Sequence, residues 1–271
     1  MRVGRQENAF TAISTSDTHT INVRGKELSS ELIGEIGFSG FFYFLLTGQE
    51  PSAAQQRMLD AVLVAIAEHG LVPSNQAARM TLAAAPDAMQ GAVAAGLLGC
   101  GSVVLGSTET CGRFLADILA HAEANKLSAD EAVRELLRKR RAARATVPGY
   151  GHPQHKEGDP RALKLLSLAK EEGVAGRHVD LVQRVGTHLP EVYGRSLPLN
   201  VSGAIPAVML DVGFPLGALK GIPILARTAS LIAHLNEEIS RPIGFILSGH
   251  AAEAVDYDGK SLVGGRDKED V

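Results

Sequence analysis

The chain has 271 residues, a length that suits one large domain or two closely joined ones. Hydrophobic residues make up 45% and charged residues 21%, which is the composition of a globular protein and excludes a disordered chain. The 27 Lys and Arg residues against 30 Asp and Glu residues give a net charge of −3. We therefore expect no nucleic-acid partner and no membrane surface, and any anion site must be a local cluster of cations.

The first residues carry no apolar stretch of the signal-peptide type, so we expect a cytoplasmic protein. Cys100 and Cys111 would lie about 16 Å apart on one helix, too far for a disulfide, and are interpreted as buried, reduced thiols. The uncharged stretch from Ala88 to Thr108 has the length of a membrane helix, but five glycines interrupt it. It is interpreted as a buried helix packed tightly against a neighbour or a partner subunit.

Helical patterns dominate the rest of the chain. Residues 11–27 are β-branched and polar, which predicts short extended segments with a turn at Arg24-Gly25. Ser128 and Glu131 form a capping box that opens a basic helix. The remaining predicted helices cover residues 30–48, 52–69, 74–85, 88–100, 108–122, 160–172, 177–190, 204–212 and 217–239. Because other strand signals are scarce, the prediction is an all-α protein.

The most informative segment is TVPGYGHPQHKEGDPR, residues 146–161. It is too long and too rich in Gly, Pro and His to be only a connection between helices. Gly149 and Gly151 allow the backbone to approach a ligand closely, and His152 follows at once. Arg161 opens the next helix. An imidazole that donates to a carbonyl oxygen and a guanidinium that grips a carboxylate together fit an α-keto or α-hydroxy carboxylate.

This segment resembles the signature of the citrate synthase superfamily, which includes the citryl-CoA lyases and the lyase domain of ATP-citrate lyase. Further resemblances extend over nearly the whole chain: TAISTSDTHTINVRGKELS, LLTGQEP, EHGLVPSNQAAR (His69 and Arg79), LPLNVSGAI and ILARTASLIAHLNEEISRP. In its length and in its ALKGIPILAR segment, the chain is most similar to the small lyase-type members.

The resemblance implies a role for each matching residue. His152 would bind the carbonyl or hydroxyl oxygen of the oxaloacetate or citrate part, and His69 would hydrogen-bond the same ligand. Arg161 and Arg227 would bind its carboxylates, and Arg241 would come from a partner subunit, which implies a homodimer or a higher homo-oligomer. The backbone of the loop would lie against the adenine of coenzyme A at Val147, Pro148, Gly149, Tyr150 and Gly151.

Two catalytic positions depart from the family pattern. Val104 stands where synthases place the histidine that stabilises the thioester enolate, a loss shared with the lyase domain of ATP-citrate lyase. Ser202 of Asn200-Val201-Ser202 stands where the family has the aspartate that exchanges a proton with the methyl carbon of acetyl-CoA. Serine cannot replace this base without activation by a neighbour. A carboxylate near Ser202 would favour an enzyme, and apolar surroundings would favour a paralogue that only binds ligand.

Other features receive simpler interpretations. Six basic residues between Arg134 and Arg144 form either a coenzyme A phosphate contact or a solvated helix face, and both readings stay open. The sequence has no convincing metal-ligand set and no phosphate loop, so a coenzyme A thioester is expected as substrate without a metal or ATP.

These observations predict a citrate synthase-like, all-α fold with a large domain (1–107 and 216–271) and a small inserted domain (108–215). A cleft between them would be lined by His69, His152, Arg161 and Ser202. The expected function is a citryl-CoA lyase-like carbon–carbon lyase, acting on citryl-CoA or a related 3-hydroxyacyl-CoA. The alternatives are citrate synthase-type condensation of acetyl-CoA with an oxo acid, and a non-catalytic paralogue that binds a coenzyme A ligand.

Overall fold

The N-terminal segment forms a small antiparallel sheet. The computed structural model describes Gly4, residues 7–151 and residues 158–259, except for the side chains of residues 102–104. Strands β1 (Ser14–Ser16), β2 (Ile21–Val23) and β3 (Lys26–Glu27) pair in chain order. The predicted turn between β2 and β3 is confirmed, with Arg24 at φ 52° and Gly25 at φ 90°. The Arg24 guanidinium steadies this turn by donating to the Leu45 carbonyl oxygen at 2.6 and 3.0 Å.

The all-α prediction is confirmed for the described residues, in which strands occur only in this sheet apart from one isolated bridge. The helices found there are α1 (Phe38–Thr47), α2 (Ala53–Ala67), α3 (Pro73–Ala84), α4 (Met89–Leu105), α5 (Ser107–Asn125), α6 (Ala129–Ala142), α7 (Pro160–Glu171), α8 (Arg177–Tyr193), α9 (Val201–Asp211), α10 (Gly221–Ser240) and α11 (Gly244–Glu253). The predicted capping box at Ser128 is present, and Ser52 forms a second one with Gln55. Each such cap stabilises its helix by about 1 kcal/mol.

Two differences from the sequence prediction go beyond small shifts at helix ends. The helix expected over residues 30–48 begins only at Phe38, because a π-helical turn (Leu28–Leu32) precedes it and Gly34 adopts φ 90°. Helix α11 was not predicted. Glu238 creates its start, since its Oε1 accepts hydrogen bonds from the backbone N–H groups of Ile243 and Gly244 at 2.9 and 2.7 Å. Glu238 lies on α10, five and six positions before these residues, whereas an ordinary N-cap side chain bonds backbone groups two or three positions after it.

The chain divides into two compact units, residues 1–69 with 100–229, and residues 70–99 with 230–271. The predicted division at residues 108 and 215 is a different partition and stays a prediction. The core of the first unit surrounds α9, which packs against α2, α5, α7 and α8. Ala204, Ile205, Ala207, Val208 and Met209 of this helix are fully buried. The N-terminus of α9 is therefore held rigidly among four neighbours.

The second unit contains α3, the first part of α4, the end of α10 and α11. Gly96 of α4 lies so close to Leu231 that a Cβ atom would come within 2.6 Å of its Cδ2. The expectation that the glycine-rich stretch packs tightly is met at this position. Arg79, 2% exposed, donates to Glu238 at 2.6 Å and to Glu237 at 2.8 Å, which ties α3 to α10.

One segment of the described chain, Leu216–Ser240, is long and apolar enough to cross a membrane by length and composition alone. Its residues Leu219, Ile222, Leu231 and Leu235 are fully buried against other parts of the fold. That burial is typical of a core helix.

Candidate active site

The first unit brings the two most informative sequence motifs together. Gly149 and Gly151 of the loop pair with residues 198–200, just before α9. Asn200 N donates to the Gly149 oxygen at 2.9 Å and Gly151 N donates to the Pro198 oxygen at 2.8 Å. The Asn200 side chain donates to the Gly151 oxygen at 2.7 Å and accepts from Gly203 N as the N-cap of α9. The loop and the helix N-terminus therefore form one stiff structure.

Gly149 is required by this packing as well as by its φ of 83°. A Cβ atom there would come within 2.7 Å of Gly203 Cα and 2.8 Å of Cys111 Sγ. Gly151 has φ 86°, and no atom of the described residues would lie within 4 Å of a Cβ there. The close approach at Gly149 is thus an approach to α9.

The other loop residues anchor the segment. Val147 is buried and Pro148 is half-buried. The Tyr150 hydroxyl donates to the Val182 carbonyl oxygen, and burial raises the pKa of this phenol well above its ordinary value. Backbone groups are what such a loop offers to a ligand. The contact of residues 147–151 with coenzyme A stays a prediction.

Asp159 joins α7 to α9 and is a site residue that the sequence analysis quoted without a role. Its fully buried carboxylate accepts from Val201 N at 2.9 Å and from Arg161 Nε and Nη2 at 3.0 and 2.9 Å. Burial by itself would raise the pKa of Asp159. The hydrogen bonds from Arg161 and Val201 outweigh burial and hold that pKa below its ordinary value. An Asp directly before a helix-opening Pro was the available signal, as an N-cap.

Arg227 on α10 is 5% exposed, and within the described residues its Nε and Nη1 have no hydrogen-bond partner. Burial, above all, and also the charge of Arg161 lower the pKa of this guanidinium, whereas Cys100 and Glu68 raise it. An arginine stays charged in this setting. A buried cation with unpaired donors beside a second cation is the electrostatic signature of an anion site. The charge of Arg161 acts on Arg227, and the joint carboxylate-binding role of the two arginines stays a prediction.

The other predicted ligand residues have different positions. His69 follows α2, half-buried, and its backbone N–H donates to Glu68 Oε1 at 2.8 Å, so it adjoins a residue whose charge acts on Arg227. Arg241 belongs to the second unit, has a 79% exposed side chain and lies 3.4 Å from Glu237. His152 and the side chain of Val104 lie outside the described residues. All the ligand roles stay predictions.

Ser202, the second residue of α9, lies beside another serine. Ser107, the first residue of α5, donates from its Oγ to Ser202 Oγ at 3.0 Å. This partner is neither the carboxylate nor the apolar surface considered above. The neighbouring carboxylate, Asp159, is bonded to Val201 N instead. Sequence reasoning missed Ser107, because 95 positions separate it from Ser202.

The basic helix α6 is largely engaged with protein groups. Arg134 and Arg138 pair with Glu191, Arg140 stacks 4.7 Å over the Phe114 ring, and Arg141 donates to the Val192 oxygen. These contacts favour a structural role for this face. In the described part of the chain no cluster of three or more His, Cys, Asp or Glu side chains is placed to hold a metal ion.

The fold and this arrangement of motifs can be compared with known proteins. The family model described as "Citrate synthase, C-terminal domain" matches residues 7–243, most of the chain. The chain belongs to the citrate synthase family and has a citrate synthase-like fold, as its motifs predicted.

Relatives within this family differ in activity. The structure of citryl-CoA lyase from Hydrogenobacter thermophilus is similar with a TM-score of 0.83 and 30% identity, covering 94% of this chain and 96% of that one. ATP citrate lyase from Methanothrix soehngenii, solved with citrate and coenzyme A, has a TM-score of 0.71 and 22% identity over 96% of this chain and 43% of that one, and shows the fold alone. Citrate synthase of Synechocystis sp. is 25% identical over 228 residues, which are 80% of this chain and 54% of that protein. The chain spans about half the length of the curated relatives it matches.

Proposed function

We propose that this protein is a citryl-CoA lyase-like enzyme that cleaves citryl-CoA, or a related 3-hydroxy-3-carboxy acyl-CoA, into acetyl-CoA and an oxo acid. The observation that carries the proposal is that Arg161 and the buried Arg227 act on each other through their charges, and that Nε and Nη1 of Arg227 find no partner among the described residues. The likeness to the Hydrogenobacter citryl-CoA lyase along nearly the full length of both chains supports the lyase over the other members.

The chemistry assigns a task to each predicted residue. In cleavage, the bond between the hydroxyl-bearing carbon and the methylene carbon breaks, and its electron pair enters the thioester enolate. The hydroxyl proton leaves to His152 as that carbon becomes a carbonyl, and the methylene carbon takes a proton to become methyl. Arg161 and Arg227 hold the carboxylates of the oxo-acid part, and His69 orients it. The backbone of residues 147–151 lies along coenzyme A.

Condensation of acetyl-CoA with an oxo acid is the second candidate, and the curated citrate synthases favour it. It uses the same bonds in reverse, but it needs a base for the methyl proton, and the family's aspartate is Ser202 here. The Asp159 carboxylate is a poor replacement for that base, because its hydrogen bonds from Arg161 and Val201 hold its pKa low. A ligand-binding paralogue without turnover is the third candidate.

The test is to incubate the protein with chemically prepared citryl-CoA. We expect acetyl-CoA and oxaloacetate in equal amounts, with oxaloacetate followed by its reduction to malate in a coupled assay. Heat-inactivated protein and citryl-CoA alone measure spontaneous decay. Release of citrate and coenzyme A instead would show thioester hydrolysis. Tight binding of citryl-CoA without any product would identify the paralogue, and either result would contradict the lyase assignment.

We further propose a homodimer formed through the second unit, residues 70–99 with 230–271. This unit exposes large apolar side chains at Leu71, Met80, Leu98, Ile232, Ile239, Phe245 and Ile246. Leu98 is 82% exposed and Phe245 is 70% exposed. Contiguous exposed apolar surface usually marks an interface. The exposed Arg241 of the same unit is then available to a partner's site.

Light scattering is expected to give twice the chain mass of 28.5 kDa. Leu98→Glu combined with Phe245→Glu should give a folded monomer, because two charges cannot be buried in an apolar interface. Phe38→Glu is the matched control, since Phe38 is 71% exposed in the first unit. A monomeric wild type, or loss of the dimer in the Phe38 variant alone, would contradict this interface.

A further inference from the structure

Two serine hydroxyls meet at the N-termini of two helices of the first unit. Gly106, the N-cap of α5, offers no side-chain cap, and Ser107 follows it as the first helical residue. Its Oγ donates to Ser202 Oγ near the start of α9, at 3.0 Å. A hydroxyl carries a single proton, so the proton of Ser202 remains available for another acceptor when Ser107 fills one of its lone pairs.

Hydrogen bonds connect the residue next to Ser202 to Arg161, one of the two arginines of the proposed carboxylate site. Val201, next to Ser202, donates its N–H to Asp159, Asp159 binds Arg161, and the charge of Arg161 acts on Arg227. Ser107 and Ser202 are partly exposed, whereas Thr108, Ala204 and Ile205 beside them are fully buried. The two serines are therefore partly accessible, unlike the core residues beside them.

We propose that Ser202 is the proton donor of the cleavage reaction and that Ser107 is its positioning residue. The proposal rests on the lyase function proposed above. When the carbon–carbon bond breaks, Ser202 gives its proton to the methylene carbon of the enolate, which becomes the methyl group of acetyl-CoA. Ser202 then regains a proton from Ser107, and Ser107 regains one from water. The proton that left the substrate hydroxyl returns to the water, so the number of protons is unchanged. No oxidant, reductant or further reactant enters.

A serine hydroxyl is suited to donate a proton to the enolate carbon. The carbon of a thioester enolate is a stronger base than an alkoxide, so the transfer from the hydroxyl is downhill. The hydrogen bond from Ser107 and the positive N-terminal ends of α5 and α9 stabilise the negative charge left on Ser202. Removal of a methyl proton from free acetyl-CoA would require the Ser202 alkoxide, which is scarce at neutral pH. The wild type should therefore exchange these protons slowly.

The test compares kcat and KM for citryl-CoA in Ser202→Ala, Ser107→Ala and Ser107→Thr. The control is Thr110→Val, which removes a hydroxyl in the same first turn of α5. Among the described contacts this hydroxyl bonds only the local Gly106 oxygen.

We expect Ser202→Ala to lower kcat about 100-fold with little change in KM, and Ser107→Ala to lower kcat about 10-fold. Ser107→Thr should restore the rate, and the solvent deuterium effect on kcat should change in both alanine variants only. A kcat of Ser202→Ala equal to that of the Thr110 control would overturn the proposal.

The lyase function and the role of Ser202 can be refuted independently of each other. If the wild type releases no oxaloacetate, the lyase function fails, and the hydroxyl pair is then judged by binding of carboxymethyl-CoA, an enolate mimic, in the presence of oxaloacetate. Ser202→Ala should weaken this binding about 10-fold, equivalent to one lost hydrogen bond to a charged group, while the Thr110 control binds as the wild type does. Equal affinities in calorimetry would overturn the role of Ser202.

Discussion

Replacement of Ser202 by aspartate is expected to increase the exchange of acetyl-CoA methyl protons with solvent by about 10²-fold or more, the usual contribution of a positioned base. The new carboxylate would stand beside Ser107 Oγ, which donates to position 202 in the wild type. It would also restore the residue that the family uses to remove this proton. Proton exchange in deuterated buffer, followed by NMR or mass spectrometry, measures the effect without any turnover.

The exchange rate should rise with pH. An aspartate has a reference pKa of ~3.9. The base works only when ionised, so the exchange rate increases through that pKa and then levels off. Ser202→Asn is the matched control, with the same shape and no base. His152→Ala should instead lose oxo-acid binding and cleavage. If the Asp and Asn variants exchange equally, position 202 does not face the methyl group.

Replacement of Arg227 by methionine should weaken oxaloacetate binding strongly and should not destabilise the fold. Removal of one member of a buried charge pair with a ligand typically costs 2–5 kcal/mol, or roughly 30- to 4,000-fold in affinity. Without ligand, Arg227 Nε and Nη1 have no partner among the described residues, and burial disfavours the charge. The free energy of unfolding of the unliganded variant should therefore be equal or higher. Calorimetry and urea unfolding measure the two quantities.

Arg79 supplies the matched control for this substitution. It is buried as deeply as Arg227, at 2% against 5% exposed, but it is fully engaged with Glu238 and Glu237. Arg79→Met leaves the buried Glu238 carboxylate without its cationic partner, with only the backbone N–H groups of Ile243 and Gly244 as donors, which should cost about 3–5 kcal/mol of stability. A stability loss at Arg227 as large as that at Arg79 would show that Arg227 serves the fold and not a ligand.

Local features were predictable because their causes lie within a few residues. The Ser128 capping box needs only Glu131 three positions on, and the turn at Arg24-Gly25 follows from the glycine itself. Helix α7 begins at Pro160, as its sequence predicts. The family signature also identified Arg161 and Arg227, which the structure brings within electrostatic reach of each other. Their grouping was carried by the resemblance, since 66 positions separate them in the sequence.

Most of the unpredicted features depend on contacts between residues far apart in the sequence. Sequence order gives no hint that Ser107 lies 3.0 Å from Ser202 or that Asp159 accepts from Val201 N. At the start of α11, Gly244 N donates to the Glu238 carboxylate, and the same carboxylate pairs with Arg79. Side-chain hydrogen bonds require atoms within about 3 Å, a condition that backbone propensity and periodicity do not encode.

The sequence by itself therefore determined the all-α fold, the family and the residue type at each position that matches a family motif, including the serine in place of aspartate. Hydrophobic periodicity, caps and glycine positions act over a few residues and are visible in a single chain. Only the tertiary structure decided which polar groups are satisfied and which are left unpaired. In the described structure Arg79 pairs with Glu238, Nε and Nη1 of Arg227 have no partner, and Ser202 has a hydroxyl neighbour instead of a carboxylate. That distinction arises because burial and pairing are properties of packed neighbours and not of the residue itself.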